Sequence, residues 1–294
     1  MNHSFGRMLT AMVTPFTSSG KVDLEAAGNL ARYLIQNGSD GIVVAGTTGE
    51  SPTLTKEEKY ELFKAVKTAV GPNVVVIAGT GSYSTEESIV QTKLAEKAGV
   101  DGLLLVVPYY NKPTQEGMYQ HFKAIAGKTS LPIMLYNIPS RTGINMKPDT
   151  VVRLSKIDNI IATKESSGDF NQVTELKMKL KDDFLIYSGD DALVLPMMAL
   201  GAYGVVSVVS HLVGKQIKEM IESFIQGETE KALRLHLELT PLFKTMFITT
   251  NPIPIKTALS LLGYSVGGFR LPLVSATDEE IQVIKKILHK YDLL

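Results

Sequence analysis

The sequence predicts a (β/α)8 barrel followed by a C-terminal appendage of three helices. Short apolar runs alternate with amphipathic segments eight times, the pattern of βαβ units around a parallel sheet. Polar residues with chemical uses follow the apolar runs, as expected where strand ends line one mouth of a barrel. After the eighth run the alternation stops and only helical patterns remain. A doubly wound open sheet is the rival, but Gly79-Thr80-Gly81 is only a fragment of the Gly-x-Gly-x-x-Gly that would open a dinucleotide-binding helix.

Taken in order, the strands are expected at 8–13, 41–45, 74–78, 102–106, 132–136, 160–163, 184–187 and 204–206. Helices are expected between them at 24–36, 56–69, 85–98, 115–126, 148–155, 171–180 and 192–200. Thr55 followed by Glu58 is a capping-box pattern, and Thr85 with Glu86 and Glu87 behind it marks another helix start. Asn37-Gly38, Gly71-Pro72 and Gly99 supply the stops. Past His211, helices are expected at 217–224, 230–247, 255–262 and 279–291. The first closes the barrel, giving a catalytic unit at 1–226, and the last three form a helical unit at 227–294.

Composition narrows the partners. Of 294 residues, 44% are hydrophobic and 20% charged, with a formal net charge of zero, which argues against disorder and against a polybasic nucleic-acid surface. A small neutral or anionic metabolite fits better. Cysteine is absent, which removes disulfides and thiolate ligands and fits a reducing cytoplasm. The first seven residues have no signal-peptide core and no stretch is long and apolar enough to span a membrane, so a soluble, cytoplasmic protein is expected.

The candidate reactive group is Lys164, which ends the run Ile160-Ile161-Ala162-Thr163. Most lysines are solvated surface charges. One delivered by an apolar strand lies where desolvation disfavours the ammonium, and a free amine is a nucleophile able to form a Schiff base. Strand two ends in Gly46-Thr47-Thr48-Gly49-Glu50-Ser51, whose amides and hydroxyls suit either a small carboxylate or an ordinary βα turn. Strand four ends in Pro108-Tyr109-Tyr110-Asn111, and strand five in Tyr136-Asn137-Ile138-Pro139-Ser140-Arg141-Thr142-Gly143. Tyrosines there can relay protons and an arginine can clamp a carboxylate, although a rim aromatic and a surface charge are the plain alternatives. Strand seven ends in Ser188-Gly189-Asp190-Asp191. The histidines, His3, His121, His211, His236 and His289, are dispersed at no ligand spacing and are expected at the surface or in helix packing, with no metal.

The motifs Gly-Thr-Thr-Gly-Glu-Ser, Pro-Tyr-Tyr-Asn-Lys-Pro, Leu-Tyr-Asn-Ile-Pro-Ser-Arg-Thr-Gly and Lys-Glu-Ser-Ser-Gly-Asp, in that order, closely resemble the dihydrodipicolinate synthase branch of the pyruvate-dependent class I aldolases. The resemblance covers essentially the whole chain. It implies condensation of pyruvate with L-aspartate 4-semialdehyde through an imine on Lys164, with no cofactor. It further implies proton handling by Tyr136 with Thr47 and Tyr110, the pyruvate carboxylate on Thr48, and the second substrate's carboxylate on Arg141. Val206 and Gly189 would complete the substrate site. The alternatives are N-acetylneuraminate lyase or a sugar-acid aldolase, from which Arg141 discriminates, and a binding barrel without activity. The branch also implies a homotetramer of tight dimers, with Tyr110 reaching into the neighbouring subunit's site. Lysine-sensitive members bind L-lysine at a dimer cleft whose matching positions here are Ser51, Lys56, Lys59, Tyr83, Glu87 and Tyr109. Two histidines common there are replaced by Lys56 and Lys59, so the cleft is expected to survive as a vestige.

Overall fold

Each apolar run becomes a strand because both of its faces are covered, the condition under which parallel strands read as continuous hydrophobic stretches. The computed structural model describes residues 4–294, so the expectation for His3 lies outside the described residues. The strands are β1 (Met8–Ala11), β2 (Gly41–Val44), β3 (Val75–Gly79), β4 (Gly102–Val106), β5 (Ile133–Asn137), β6 (Ile160–Glu165), β7 (Leu185–Ser188) and β8 (Gly204–Ser207). They close in chain order into a parallel barrel. The helices are α1 (Leu24–Gln36), α2 (Lys56–Val70), α3 (Thr85–Lys97), α4 (Gln115–Ala126), α5 (Pro139–Thr142), α6 (Pro148–Leu154), α7 (Phe170–Lys179), α8 (Val194–Ala199), α9 (Ser210–Ile225), α10 (Thr229–Thr245), α11 (Ile253–Leu261) and α12 (Asp278–Lys290).

Alternation along the strands divides the core in two. Leu9, Val43, Ile77, Leu104, Met134, Ala162, Tyr187 and Val206 fill the barrel, while Met8, Ile42, Val76, Leu103, Ile133 and Val205 face the helices. A register shift between Ile133 and Met134 brings Tyr136 opposite Lys164 and Asn137 opposite Glu165. On the other side Lys164 faces Tyr187. Beneath that row the segment ahead of β1 is tied to Tyr187 and Tyr203. Tyr187, fully buried, donates its hydroxyl to the Gly6 carbonyl at 2.8 Å. Arg7 lies 4.0 Å from the centre of the Tyr203 ring and donates to its carbonyl at 2.7 Å.

Several boundaries depart from expectation. Strand β6 runs on to Glu165, so Lys164 lies within the strand and not after it. The cap of α3 is Ser84, which accepts from the Glu87 amide at 3.3 Å, because the Thr85 hydroxyl is paired with His121 Nδ1 at 2.9 Å. The segment at 192–200 is split into a 3-10 turn, Asp191–Leu193, and α8. Asp191 is drawn away from the helix to accept from the Val208 amide at 2.9 Å, which also starts α9 early, at Ser210. The capping box at Thr55 and Glu58 forms as the pattern indicates.

Helices α10 to α12 extend the outer core, contributing Leu242, Phe243, Ile255, Ala258, Ile284 and Leu288 to the same apolar cluster as the barrel. Two polar ties reach back to the barrel. Lys256 and Glu50 form an ion pair at 2.8 Å with both side chains 0% exposed. Arg270 pairs with Glu58 and donates to the Thr53 and Gly20 carbonyls. Among the described residues, no helix is long and apolar enough to cross a membrane.

Candidate active site

Strand alternation places Ala162 and Lys164 on the inner face of β6 and Thr163 and Glu165 on the outer face. Lys164 is 5% exposed, and its Nζ lies 4.2 Å from the centroid of the Tyr136 ring. Among the described residues it makes no hydrogen bond and no ion pair. Gly189 makes room for this side chain. A Cβ on it would stand 2.8 Å from Lys164 Cε and 1.8 Å from Ser166 Oγ, so only glycine fits.

The opposite face of the same strand ends is bound by a buried polar network. Glu165 accepts from the Ser167 amide at 2.7 Å, from Asn137 Nδ2 at 3.1 Å and from Gln172 Nε2 at 3.0 Å. Asn137 Nδ2 also donates to Asn145 at 2.7 Å. Burial pushes the Glu165 carboxyl up, and these hydrogen bonds pull against it. The network ties β5, β6 and α7 together one residue from both Tyr136 and Lys164.

At the mouth, the turn after β2 opens and closes with left-handed residues, Ala45 at φ 52° and Glu50 at φ 55°. It presents Thr47 to a cavity of about 220 Å³ whose walls also include Tyr109, Tyr136 and Arg141. Thr48 is buried, and its Oγ1 accepts from Asn251 Nδ2 at 2.9 Å. Arg141 rides on α5, a short helix not among those expected from the sequence, and its Nη2 donates to the Asn251 carbonyl at 3.3 Å. Val206, on β8, is fully buried in the barrel interior.

Of the expected site residues, Thr47, Tyr136 and Arg141 line the cavity, Lys164 and Gly189 meet beside Tyr136, Thr48 is buried against Asn251, and Val206 lies in the barrel interior. Tyr110 does not join them: it is 91% exposed and held at φ 67°. Thr47 and Tyr136 share the cavity without a direct hydrogen bond among the described residues. Asn251 was missed. A polar Thr249-Thr250-Asn251-Pro252 turn between apolar helices was the available signal, but a turn signal says nothing of which strand end it meets.

The six residues of the expected effector cleft fall into two sets of contacts. Lys56 pairs with Glu87 at 3.0 Å, Gln91 donates to Glu87 at 2.8 Å, and Lys59 donates to Gln91 at 2.9 Å. Burial pulls the Lys59 ammonium down to about 8 against the attraction of Glu87. Tyr83 and Tyr109 meet edge to face at 5.3 Å, and Ser51 lines the neighbouring cavity. The described histidines are scattered, and His211, in the first turn of α9, is a helix-packing residue. It is fully buried behind β1 and β8, with Nδ1 2.7 Å from the Val208 carbonyl and Nε2 accepting from the Val13 amide at 3.2 Å. His121 is likewise buried, against Thr85 and Phe122.

Comparison with known proteins gives one consistent result. The model of the Dihydrodipicolinate synthetase family matches residues 4–291. The chain is 60% identical over 291 residues to a 4-hydroxy-tetrahydrodipicolinate synthase of Desulforamulus reducens, covering 99% of this chain and 98% of that one. It is 59% identical to the same-named protein of Moorella thermoacetica over 290 residues, 99% of both chains. Among solved structures it is similar to the lysine-bound enzyme of Cyanidioschyzon merolae, with a TM-score of 0.97, 52% identity and 99% coverage of both chains.

Proposed function

The chain belongs to the Dihydrodipicolinate synthetase family, and from that premise we propose that Lys164 is the amine that carries pyruvate through the reaction. The protein condenses pyruvate with L-aspartate 4-semialdehyde, the reaction of its 4-hydroxy-tetrahydrodipicolinate synthase relatives on the diaminopimelate route to lysine. The chemistry is that of a Schiff-base lyase. The neutral amine adds to pyruvate C2 and the carbonyl oxygen leaves as water. Loss of a methyl proton then gives an enamine, whose carbon attacks the aldehyde.

The observation that carries the lysine assignment is its solitude. Lys164 is buried beside Tyr136, with no carboxylate paired to it among the described residues, and Tyr136 lines a cavity together with Thr47 and Arg141. Tyr136, whose ring centre lies 4.2 Å from the reacting nitrogen, is the proton carrier, and Thr47 and Tyr110 extend it into a relay. Thr48 holds the pyruvate carboxylate, with Gly189 and Val206 forming the floor beside it, and Arg141 takes the carboxylate of the semialdehyde. Pyruvate with borohydride should inactivate the enzyme and label Lys164, and Lys164→Arg should take no label. Label on another lysine, or near-normal turnover by Lys164→Arg, overturns the assignment.

The imine is itself the electron sink, so the reaction uses no cofactor. Tyr110, exposed on its own chain, reaches the site of a second subunit in a homotetramer built of tight dimers. The enzyme is cytoplasmic and acts on small molecules, not on nucleic acid or membranes. Residues 1–226 form the catalytic unit and 227–294 a helical unit that braces its mouth. Ser51, Lys56, Lys59, Tyr83, Glu87 and Tyr109 are the vestige of a lysine-effector cleft, in which Lys56 occupies the carboxylate an incoming cation would use.

A further inference from the structure

The turn between α10 and α11 carries Asn251 from the helical region to the mouth of the barrel. The residue is 7% exposed and two of its polar groups are engaged: Nδ2 donates to Thr48 Oγ1 at 2.9 Å and the main-chain carbonyl accepts from Arg141 at 3.3 Å. The third, Oδ1, is buried without any partner among the described residues. A buried amide oxygen left unpaired is costly and uncommon in a folded protein, and where one persists it calls for a donor from outside the chain.

Asn251 stands between the hydroxyl that holds one substrate carboxylate and the guanidinium that holds the other. L-aspartate 4-semialdehyde bears an α-ammonium on the carbon next to the carboxylate that Arg141 takes, and no residue so far named receives it. We propose that Asn251 Oδ1 accepts a hydrogen bond from this α-ammonium, which makes Asn251 a specificity-determining residue for amino aldehydes. The inference rests on the roles assigned above to Lys164 and Arg141. A neutral amide suits the position: it offers an acceptor to the ammonium without a negative charge beside two substrate carboxylates. An aldehyde lacking the amino group would leave the oxygen unpaired, and sites of that kind reject such analogues strongly.

The test compares kcat/KM for L-aspartate 4-semialdehyde with that for succinate semialdehyde, which lacks only the amino group, at saturating pyruvate. Both aldehydes meet the same pyruvate imine, so any change in Thr48 cancels in the ratio. The unmodified enzyme should prefer the amino aldehyde. Asn251→Ala should lower that preference by about tenfold or more, and Asn251→Asp, which keeps an acceptor, should retain or raise it. A preference unchanged in Asn251→Ala, lost in Asn251→Asp, or absent from the unmodified enzyme overturns the proposal. Borohydride trapping on the unmodified protein separates the premises. Failure to label Lys164 defeats the reaction assignment, whereas normal labelling with an unchanged ratio in Asn251→Ala defeats the role of Asn251 alone.

Discussion

Two lysines of this chain follow apolar residues, and their fates differ. Lys256 is surrounded by Ile253, Ile255 and Ala258 and is held by Glu50, both side chains out of solvent. Lys164 is nearly as deeply buried and has no such partner among the described residues. The signal that singled out Lys164, a lysine at the end of an apolar run, does not by itself set it apart from Lys256, and the fold separates a tie from the proposed reactive amine. Gly189 belongs to the same scale. In Gly189→Ala the new Cβ would collide with Ser166 Oγ and press on Lys164 Cε. Turnover should fall about a hundredfold or more, in line with small misplacements at reacting groups, while the melting temperature stays within a few degrees. Unaltered turnover would show that Lys164 tolerates displacement. Arg141→Ala should weaken use of the semialdehyde by about 2 kcal/mol, roughly thirtyfold in kcat/KM, with a smaller effect on pyruvate. Equal losses for both substrates would contradict a clamp specific to the second.

Most elements were legible because burial on both faces leaves no choice of residue along a parallel strand, and turn glycines close the helices in sequence. Ends moved where a side chain found a tertiary partner, as Thr85 did with His121 and Asp191 with the Val208 amide. The outward Glu165 network was invisible for the same reason: Asn137, Asn145 and Gln172 come from separate segments, and nothing in their local spacing joins them. Attachment of α11 offers a stability test. Lys256→Met leaves the buried Glu50 carboxylate with only the Arg270 amide, at 3.2 Å, to hold it, which should cost about 3–5 kcal/mol in denaturant unfolding. Adding Glu50→Gln removes the lone charge and should recover much of that loss. A double variant no more stable than the single would show that the pair is not an isolated tie.

In the whole molecule, Tyr110 is exposed and absent from the lining of its own chain's cavity, so its proposed role needs a second copy of the chain. Lys164→Arg and Tyr110→Phe should each be nearly inactive alone. Co-expressed, they should regain activity, because a mixed dimer holds one site with both native side chains; no recovery would mean that sites do not share chains. L-lysine should inhibit weakly, since Lys56 already occupies Glu87. Half-inhibition below about 1 mM, roughly 4 kcal/mol of affinity, would show the cleft to be functional. One further property follows from what lies beneath Lys164. With Tyr187 anchored to Gly6 and Arg7 laid over Tyr203, side chains fill the space under the lysine among the described residues. On the proposed reading, the reactant that bonds to the lysine should arrive before the one that caps it, and an early second substrate should act as an obstruction.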